Sequence, residues 1–323
     1  MRRAVAAILG ALLLLPAVPG RAADAPPAII VHAGKNDSLS HALAVQFAAA
    51  LPQGNNALTV QVEESQGSVR NVIDTLRGNG HYVFTAPPSL IIQARRGEKP
   101  FRRNARYREI RALFPIPPLT VHWLVRADSN VRNFPELAGK TLAPGAKASF
   151  SEAQTVSALH ALGLDKSVQL IDVDRSGALA ALAAKQVTGI TLGGNVPIPA
   201  IATLAKTTPL RLLSLTRAQL AKVLAADDSL VAVTIPKGTY PGQEQDVETV
   251  ALPTGVYTTT AMSERTAYAI TKAFWSQKWA LGQRNPPWNF VGPHSLATLG
   301  IRLHKGALRY YREAGIKVPA ALR

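Results

Sequence analysis

Along this chain, short apolar runs ending in Gly- or Ser-rich turns alternate with stretches whose apolar residues recur at helical spacing. That alternation constrains the fold more than any single residue. Strand–helix–strand units with short connections build a parallel sheet with right-handed crossovers. The run 28–34, Ala-Ile-Ile-Val-His-Ala-Gly, reads as a buried strand. Leu39, Leu43, Phe47 and Leu51 mark one face of a helix that Asp37 or Ser38 starts and Pro52 and Gly54 close. A strand at 58–62, a helix from Gly67-Ser68 with Val69, Val72, Ile73 and Leu76 on its apolar face, and a strand at 81–86 broken by Pro87-Pro88 complete this unit.

The second half repeats the layout without a detectable sequence repeat. Strand 119–125 leads through a polar stretch, with Arg126 near the expected hinge, to a short helix and strand over 134–142. Then come the loop 145–151, helix 153–162, strand 168–173, helix 176–185 and strand 187–192 ending at Gly193-Gly194-Asn195. Helix 200–206, strand 210–215, helix 217–226 and strand 231–235 precede a long β-type stretch, 247–260, able to cross back to the first half. A helix from Ser263 to about Trp279 and another at 307–314 end the chain. The expected fold is α/β with two lobes, each a mixed, mostly parallel sheet flanked by helices, with a cleft between. The expected division is 26–125 with 256–323 as lobe one and 126–255 as lobe two.

Ligands of such sheets sit at the carboxyl ends of strands. Two stretches there combine small residues and hydroxyls ahead of a helix: Gly67-Ser68-Val69-Arg70-Asn71 and Gly145-Ala146-Lys147-Ala148-Ser149-Phe150-Ser151. A helix start presents free N–H groups and about half a positive charge, which suits a carboxylate or phosphate. These stretches are expected to be the two jaws of one cleft. The candidate ligand residues are Ser38, Gly67, Ser68, Thr85, Ser149, Ser151, Gly194 and Asn195, with Lys35 and Lys147 as counter-charges. Tyr240, Tyr257 and Trp288 are expected to pack rather than to stack on a ligand.

Composition narrows the setting. A 47% hydrophobic share of 323 residues supplies a large core. Met1-Arg2-Arg3, an apolar run over 4–18 and the small residues Gly20, Ala22, Ala23 and Ala25 have the layout of a secretory signal, with cleavage expected between Ala22 and Ala25 and a periplasmic mature protein. The lack of Cys excludes lipidation at an N-terminal cysteine, Cys nucleophiles, Cys-ligated zinc and iron–sulfur clusters. The formal charge is +16, and a basic run extends from Arg95 to Arg111. That run reads as a solvated face, with docking or attraction of an anionic partner as its functional alternative. It lacks the interleaved aromatics of a nucleic-acid groove, so no nucleic acid is expected.

Four stretches carry a resemblance. Gly67-Ser68-Val69-Arg70-Asn71-Val72 is one. Leu137-Ala138-Gly139-Lys140 leading to Gly145–Ser151 is the second, Ile235-Pro236-Lys237-Gly238-Thr239-Tyr240-Pro241-Gly242-Gln243 the third, and 303–315, Leu-His-Lys-Gly-Ala-Leu-Arg-Tyr-Tyr-Arg-Glu-Ala-Gly, the fourth. In order and spacing the mature chain resembles the solute-binding proteins of TAXI-type TRAP transporters, a branch of the type II periplasmic binding proteins. The resemblance implies two lobes closing on a glutamate-like amino acid, dicarboxylate or oxo acid, delivery to TRAP-type membrane subunits, a monomeric protein and no cofactor. Two places depart from the pattern. The first turn, Gly34-Lys35-Asn36-Asp37-Ser38-Leu39-Ser40, replaces Gly-Thr-Gly-Gly-x-Tyr, and Lys147, Ala148 and Phe150 stand where the pattern has Pro, Gly and Gly.

Enzyme motifs are missing: no Gly-x-Ser-x-Gly elbow, no His-Glu-x-x-His and no phosphate-binding Gly-x-x-x-x-Gly-Lys-Ser/Thr loop. The His residues form no metal-spaced pair, and no metal is expected. The alternatives left open are a ligand-sensing periplasmic protein and an exported hydrolase whose Ser, His and Asp assemble in space.

Overall fold

The computed structural model describes residues 28–55, 58–78 and 80–323, so the expected export signal lies outside the described residues. The first half runs β1 (Ala28–His32), α1 (Leu39–Gly54), β2 (Thr59–Glu63), α2 (Ser68–Asp74), β3 (Tyr82–Ala86), α3 (Pro88–Arg96) and β4 (Ile110–Arg126). The middle runs β5 (Thr141–Ala143), α4 (Phe150–Leu162), β6 (Gln169–Leu170), α5 (Arg175–Ala183), β7 (Gly189–Gly194), α6 (Pro199–Leu204) and β8 (Leu210–Leu212). The rest is α7 (Arg217–Ala226), β9 (Val231–Ile235), β10 (Val247–Thr259), α8 (Glu264–Arg284) and α9 (Lys305–Glu313), with short 3₁₀ turns between.

Among the described residues the strands form one sheet in the order β2-β1-β3-β10-β4-β7-β5-β6, with β8 beside β4 and β9 beside β10. β1 is parallel to both β2 and β3, and β5 is parallel to both β6 and β7. The two halves therefore share one topology, a central first strand flanked by the second and third. The long antiparallel pair β4 and β10 runs through both.

That pair changes character at its middle. Leu119 pairs with Leu252 and Ile116 with Thr254, leaving an irregularity that holds Pro117 and Pro118 on one strand and Pro253 on the other. Proline has no N–H for a ladder, so regular pairing stops there. Buried apolar residues split at the same place. One cluster takes Ile29 to Ile116 and Val256 to Leu322, with Phe114 stacked on Phe274 at 3.9 Å. Two others draw their buried members from Val121 to Val250, and Phe290 reaches over to pack on one of them.

The structure corrects several expectations. β4 begins at Ile110, well before the expected 119, because prolines that argue against a strand are tolerated where the sheet changes partners. Pro87-Pro88 does not merely break β3: Pro87 caps and Pro88 opens α3, where a missing N–H costs nothing. The basic run is therefore partly helical, since Arg95 and Arg96 end α3. The strand expected at 168–173 shrinks to the two residues of β6. Arg126 ends β4, where it pairs with Leu210 of β8 and its guanidinium meets Asp128 at 2.8 Å.

Candidate functional site

The carboxyl ends of β1 and β5 carry the same turn. In lobe one it is Gly34-x-x-x-Ser38-x-Ser40, in lobe two Gly145-x-x-x-Ser149-x-Ser151. Each first Ser caps the helix that follows: Ser38 Oγ accepts from His41 N, and Ser149 Oγ accepts from Glu152 N, both at 3.2 Å. Each capping Ser donates its own N–H three residues back, Ser38 to Lys35 O at 2.8 Å and Ser149 to Ala146 O at 3.0 Å. The paired hydroxyls lie 3.2 Å apart in lobe one and 3.4 Å apart in lobe two. They crowd the glycine that opens the turn. A Cβ on Gly34 would meet Ser38 Oγ at 2.6 Å, and one on Gly145 would meet Ser151 Oγ at 2.8 Å. A side chain at either position would have to push those hydroxyls aside, and at Gly145, with φ +102, the backbone itself favours glycine.

The likeness extends to the second strands. Glu64, just past β2, accepts from Asn36 N at 3.3 Å and Asn36 Nδ2 at 2.9 Å. Asp172, just past β6, accepts from Lys147 N at 2.9 Å. Asn36 and Lys147 hold the same position in their turns. The partner of the Gly145–Ser151 turn is thus Gly34–Ser40, and the Gly67–Asn71 stretch expected in that role starts the second helix instead.

At those second helices the lobes differ. Gly67, at φ +101, makes no side-chain cap for α2. Its counterpart Asp174 caps α5, accepting from Gly177 N at 2.7 Å and Ser176 Oγ at 2.8 Å. These bonds, the Gly177 N–H first, hold the Asp174 carboxyl below its usual range. The next residue, Arg175, donates to Gly193 O at 2.8 Å and so lies at the end of β7. Arg175 is a cation at the lobe-two strand ends that sequence reasoning missed. Its signal was a capping Asp directly before Arg at a helix start.

Beneath the lobe-one turn, buried Asn71 spreads its Nδ2 over His32 O, Ala33 O and Thr85 O at 3.1–3.2 Å. Thr85 is fully buried and donates its hydroxyl to Ala33 O at 3.3 Å. Ser65 N reaches Gly34 O at 3.0 Å. These bonds bring Ser38, Gly67, Ser68 and Thr85 together at one end of lobe one. In lobe two, the half-buried Phe150 ring packs over Gly193, where a Cβ would come within 2.6 Å of it. Ala148 takes the left-handed conformation, φ +63, where the TAXI pattern the sequence resembles has Gly. Ser149, Ser151, Gly194 and Arg175 are thereby gathered at the other end. Asn195 donates to Pro117 O at 3.1 Å and Pro118 O at 2.8 Å, tying β7 to the crossing prolines. Lys35 and Lys147 are exposed. Among the described residues no hydrogen bond or ion pair joins the lobe-one set to the lobe-two set.

The third motif turns out to be a brace. Tyr240 Oη accepts from Ile198 N at 2.8 Å and lies 2.9 Å from His122 Nε2, whose Nδ1 faces Thr120 O at 3.1 Å. Those partners assign the Nδ1–H tautomer, so Tyr240 donates to His122. Burial pushes His122 down to about 4, keeping it neutral. The fourth motif is also architectural: His304 caps α9, and Tyr311 Oη donates to Leu113 O at 2.8 Å. Tyr257 and Trp288 are fully buried.

A cavity of about 700 Å³ lies against the crossing strands at Pro117, Pro118 and Pro253 and under the segment 287–298. It abuts two residues of the predicted set: Asn195 donates to the carbonyls of its lining residues Pro117 and Pro118, and Gly194 pairs with its lining residue Thr120. Glu248 is its one charged lining residue, and that carboxylate already accepts from Thr234 Oγ1 at 2.8 Å. Among the described residues, no three His, Asp or Glu are placed to hold a metal, and no helix is long and apolar enough to cross a membrane.

The chain is similar in structure to a TctC solute-binding protein from Polaromonas, solved without ligand. The TM-score is 0.60 at 12% identity, covering 89% of this chain and 98% of that one. A malate-bound MatC from Rhodopseudomonas palustris matches at 0.48 with 13% identity, over 88% and 98% of the two chains. The sulfonate-binding SsuA of a putative ABC transporter from Methylobacillus flagellatus matches at 0.49 with 13% identity, over 91% and 88%. The first of these likenesses shows the two-lobed periplasmic-binding-protein fold. The model of the NMT1-like family matches residues 38–315, and the chain belongs to that family.

Proposed function

We propose that this chain is an exported solute-binding protein of the TAXI type, which captures a small organic anion and hands it to the membrane subunits of a TRAP-type transporter. The anion is a glutamate-like amino acid, a dicarboxylate or an oxo acid. The reading rests on one observation, the duplicated Gly-x-x-x-Ser-x-Ser turn at the carboxyl end of the first strand of each lobe. In this reading the lobes meet between Ile116 and Val121 and between Leu252 and Val256, where the apolar clusters change over. Ser38, Ser149 and Ser151 supply hydroxyls, and Gly67-Ser68 supplies backbone N–H groups. Lys35, Lys147 and Arg175 supply charge, an Arg fork being suited to a carboxylate. Thr85, Gly194 and Asn195 hold the strand ends in place. The role is binding without turnover, in the periplasm, as a monomer and without a cofactor.

A thermal-shift screen of glutamate, glutamine, 2-oxoglutarate, C4-dicarboxylates and aromatic acids tests it. A ligand at a hundredfold excess over Kd stabilises the protein by about 2.7 kcal/mol. Failure of every acid to shift the transition would overturn the anion reading. One observation favours a second reading: the cavity at the crossing prolines has a volume suited to a small ligand and no Lys or Arg in its wall. A neutral, largely apolar solute fits there. A hit among neutral compounds that Val233→Trp abolishes would favour that seat.

A further inference from the structure

Lobe one has an open concavity of about 510 Å³ where α3 ends, β4 begins and the chain passes through 300–302. Five arginines line it, Arg95, Arg96, Arg108, Arg111 and Arg302, and no acidic side chain does. Arg111 pairs with Thr258, six residues along β4 from Pro117. At about 3.4 Å per residue that is about 20 Å from the crossing prolines. The arginines thus belong to neither the twin turns nor the wall of the proline cavity, although the rim at Gly300 is two residues from Thr298 of that cavity, and the inference rests on neither solute reading.

Two of these guanidiniums are fixed. Arg95 donates to Tyr107 O at 3.3 Å and to Ile110 O at 3.0 Å. Arg111 donates to Arg108 O at 2.6 Å and to the same Ile110 O at 3.0 Å. Two like charges thus converge on one carbonyl oxygen, half-buried, with donors left over to face the concavity. Arg108 and Arg302 stand exposed at its rim. Of the nearby acids, Glu98 pairs with Arg96, one of the five, at 3.6 Å, and Glu109 pairs with Arg106, outside the lining, at 4.0 Å. Among the described residues Arg95, Arg108, Arg111 and Arg302 have no ion-pair partner. Burial, then the neighbouring guanidiniums, lowers Arg95 and Arg111. Four guanidiniums without an ion-pair partner, two of them held in place, favour a ligand with several oxyanion edges, since each fork takes two oxygens.

We propose that this concavity binds a multivalent phosphate-type oxyanion, either a free polyphosphate-like ion or the headgroups of an anionic lipid. The test titrates inorganic tripolyphosphate into the mature protein at physiological salt, beside vesicles of phosphatidylglycerol and of phosphatidylcholine. One tripolyphosphate per chain is expected, weakened about tenfold or more in Arg108→Gln/Arg302→Gln, where two forks are lost. Lys206→Gln/Lys222→Gln removes the same charge from lobe two and is expected to leave the affinity within about twofold, as remote charges are screened. Arg95→Gln/Arg111→Gln is expected to abolish binding; if it misfolds, the exposed pair carries the test. Displacement of tripolyphosphate by phosphatidylglycerol vesicles identifies the lipid source, and binding without such displacement identifies the free ion. Equal weakening in both exposed pairs, or no binding of tripolyphosphate or phosphatidylglycerol, overturns the proposal. Preference for hexaglutamate over tripolyphosphate overturns it in favour of an acidic protein segment.

Discussion

The turn at Gly34–Ser40 and the turn at Gly145–Ser151 share spacing, capping serine, i−3 backbone bond and a carboxylate on their third residue. What lies around them differs. Under the first is a polar floor of Asn71 and Thr85, beside an α2 start that no side chain caps. Under the second is an apolar seat, Phe150 on Gly193, beside an α5 start closed by its own Asp174. One geometry has been built on a hydrogen-bonded base in one lobe and on a packed base in the other. The difference teaches that the turn itself, rather than its support, is the shared feature, and that only the lobe-two second helix has a side-chain cap.

The polar floor offers the largest effect. Asn71→Leu is expected to destabilise by about 3 kcal/mol, because buried carbonyls of His32, Ala33 and Thr85 each lose the amide donor they share. Asn195→Leu strips only the Pro117 and Pro118 carbonyls and is expected to cost less. Chemical denaturation of both variants checks the ranking, and equal losses would break the contrast between floor and crossing.

The brace behind the lobe-two turn predicts acid sensitivity. His122 is neutral in the fold and held at about 4, below its ordinary 6.5. The unfolded chain therefore takes up a proton that the fold refuses, and stability falls as pH drops from about 6.5 towards 4, by up to about 3 kcal/mol. His304, also lowered by burial, adds in the same direction from lobe one. His122→Gln should flatten most of the slope in melting temperature against pH; an unchanged slope would remove His122 from the account.

The glycines give a smaller, sharper contrast. Gly145 has φ +102, whereas Gly34 is not left-handed. Gly145→Ala is expected to cost about 1–3 kcal/mol from backbone strain, while Gly34→Ala displaces only serine hydroxyls and costs less. Smallest is the packed seat: Gly193→Ala is expected to cost about 1–2 kcal/mol alone and almost nothing beside Phe150→Ala. A double-mutant cycle without coupling would show that the ring does not rest there.

Much of this was legible in the residues. Helical spacing at Leu43, Phe47 and Leu51 and the apolar runs at 28–34 and 231–235 gave α1, β1 and β9, because burial on one face imposes period, although Leu39, read with that face, stands exposed at the start of the helix. The first half of β4 was not legible, because Pro115, Pro117 and Pro118 argue locally against a strand that long-range pairing with β10 imposes. At the site, the Gly-x-x-x-Ser-x-Ser spacing stood twice in the sequence. The first copy, Gly34–Ser40, departs from the TAXI pattern, so resemblance alone did not mark it as the partner of Gly145–Ser151. Thr85 and Asn195 could be placed at strand ends, but not which way their polar atoms turned, since that depends on carbonyls of other strands. Arg175 was hidden because only the fold brings it to Gly193.

The most direct measurement is the affinity of one acid, taken from the thermal-shift screen, for the protein and for Ser38→Glu and Ser149→Glu by calorimetry. If both turns grip one anion, each substitution places a negative charge against it and both abolish binding while the fold persists. Undiminished affinity in either variant, with that variant folded, would contradict a solute held between the two turns.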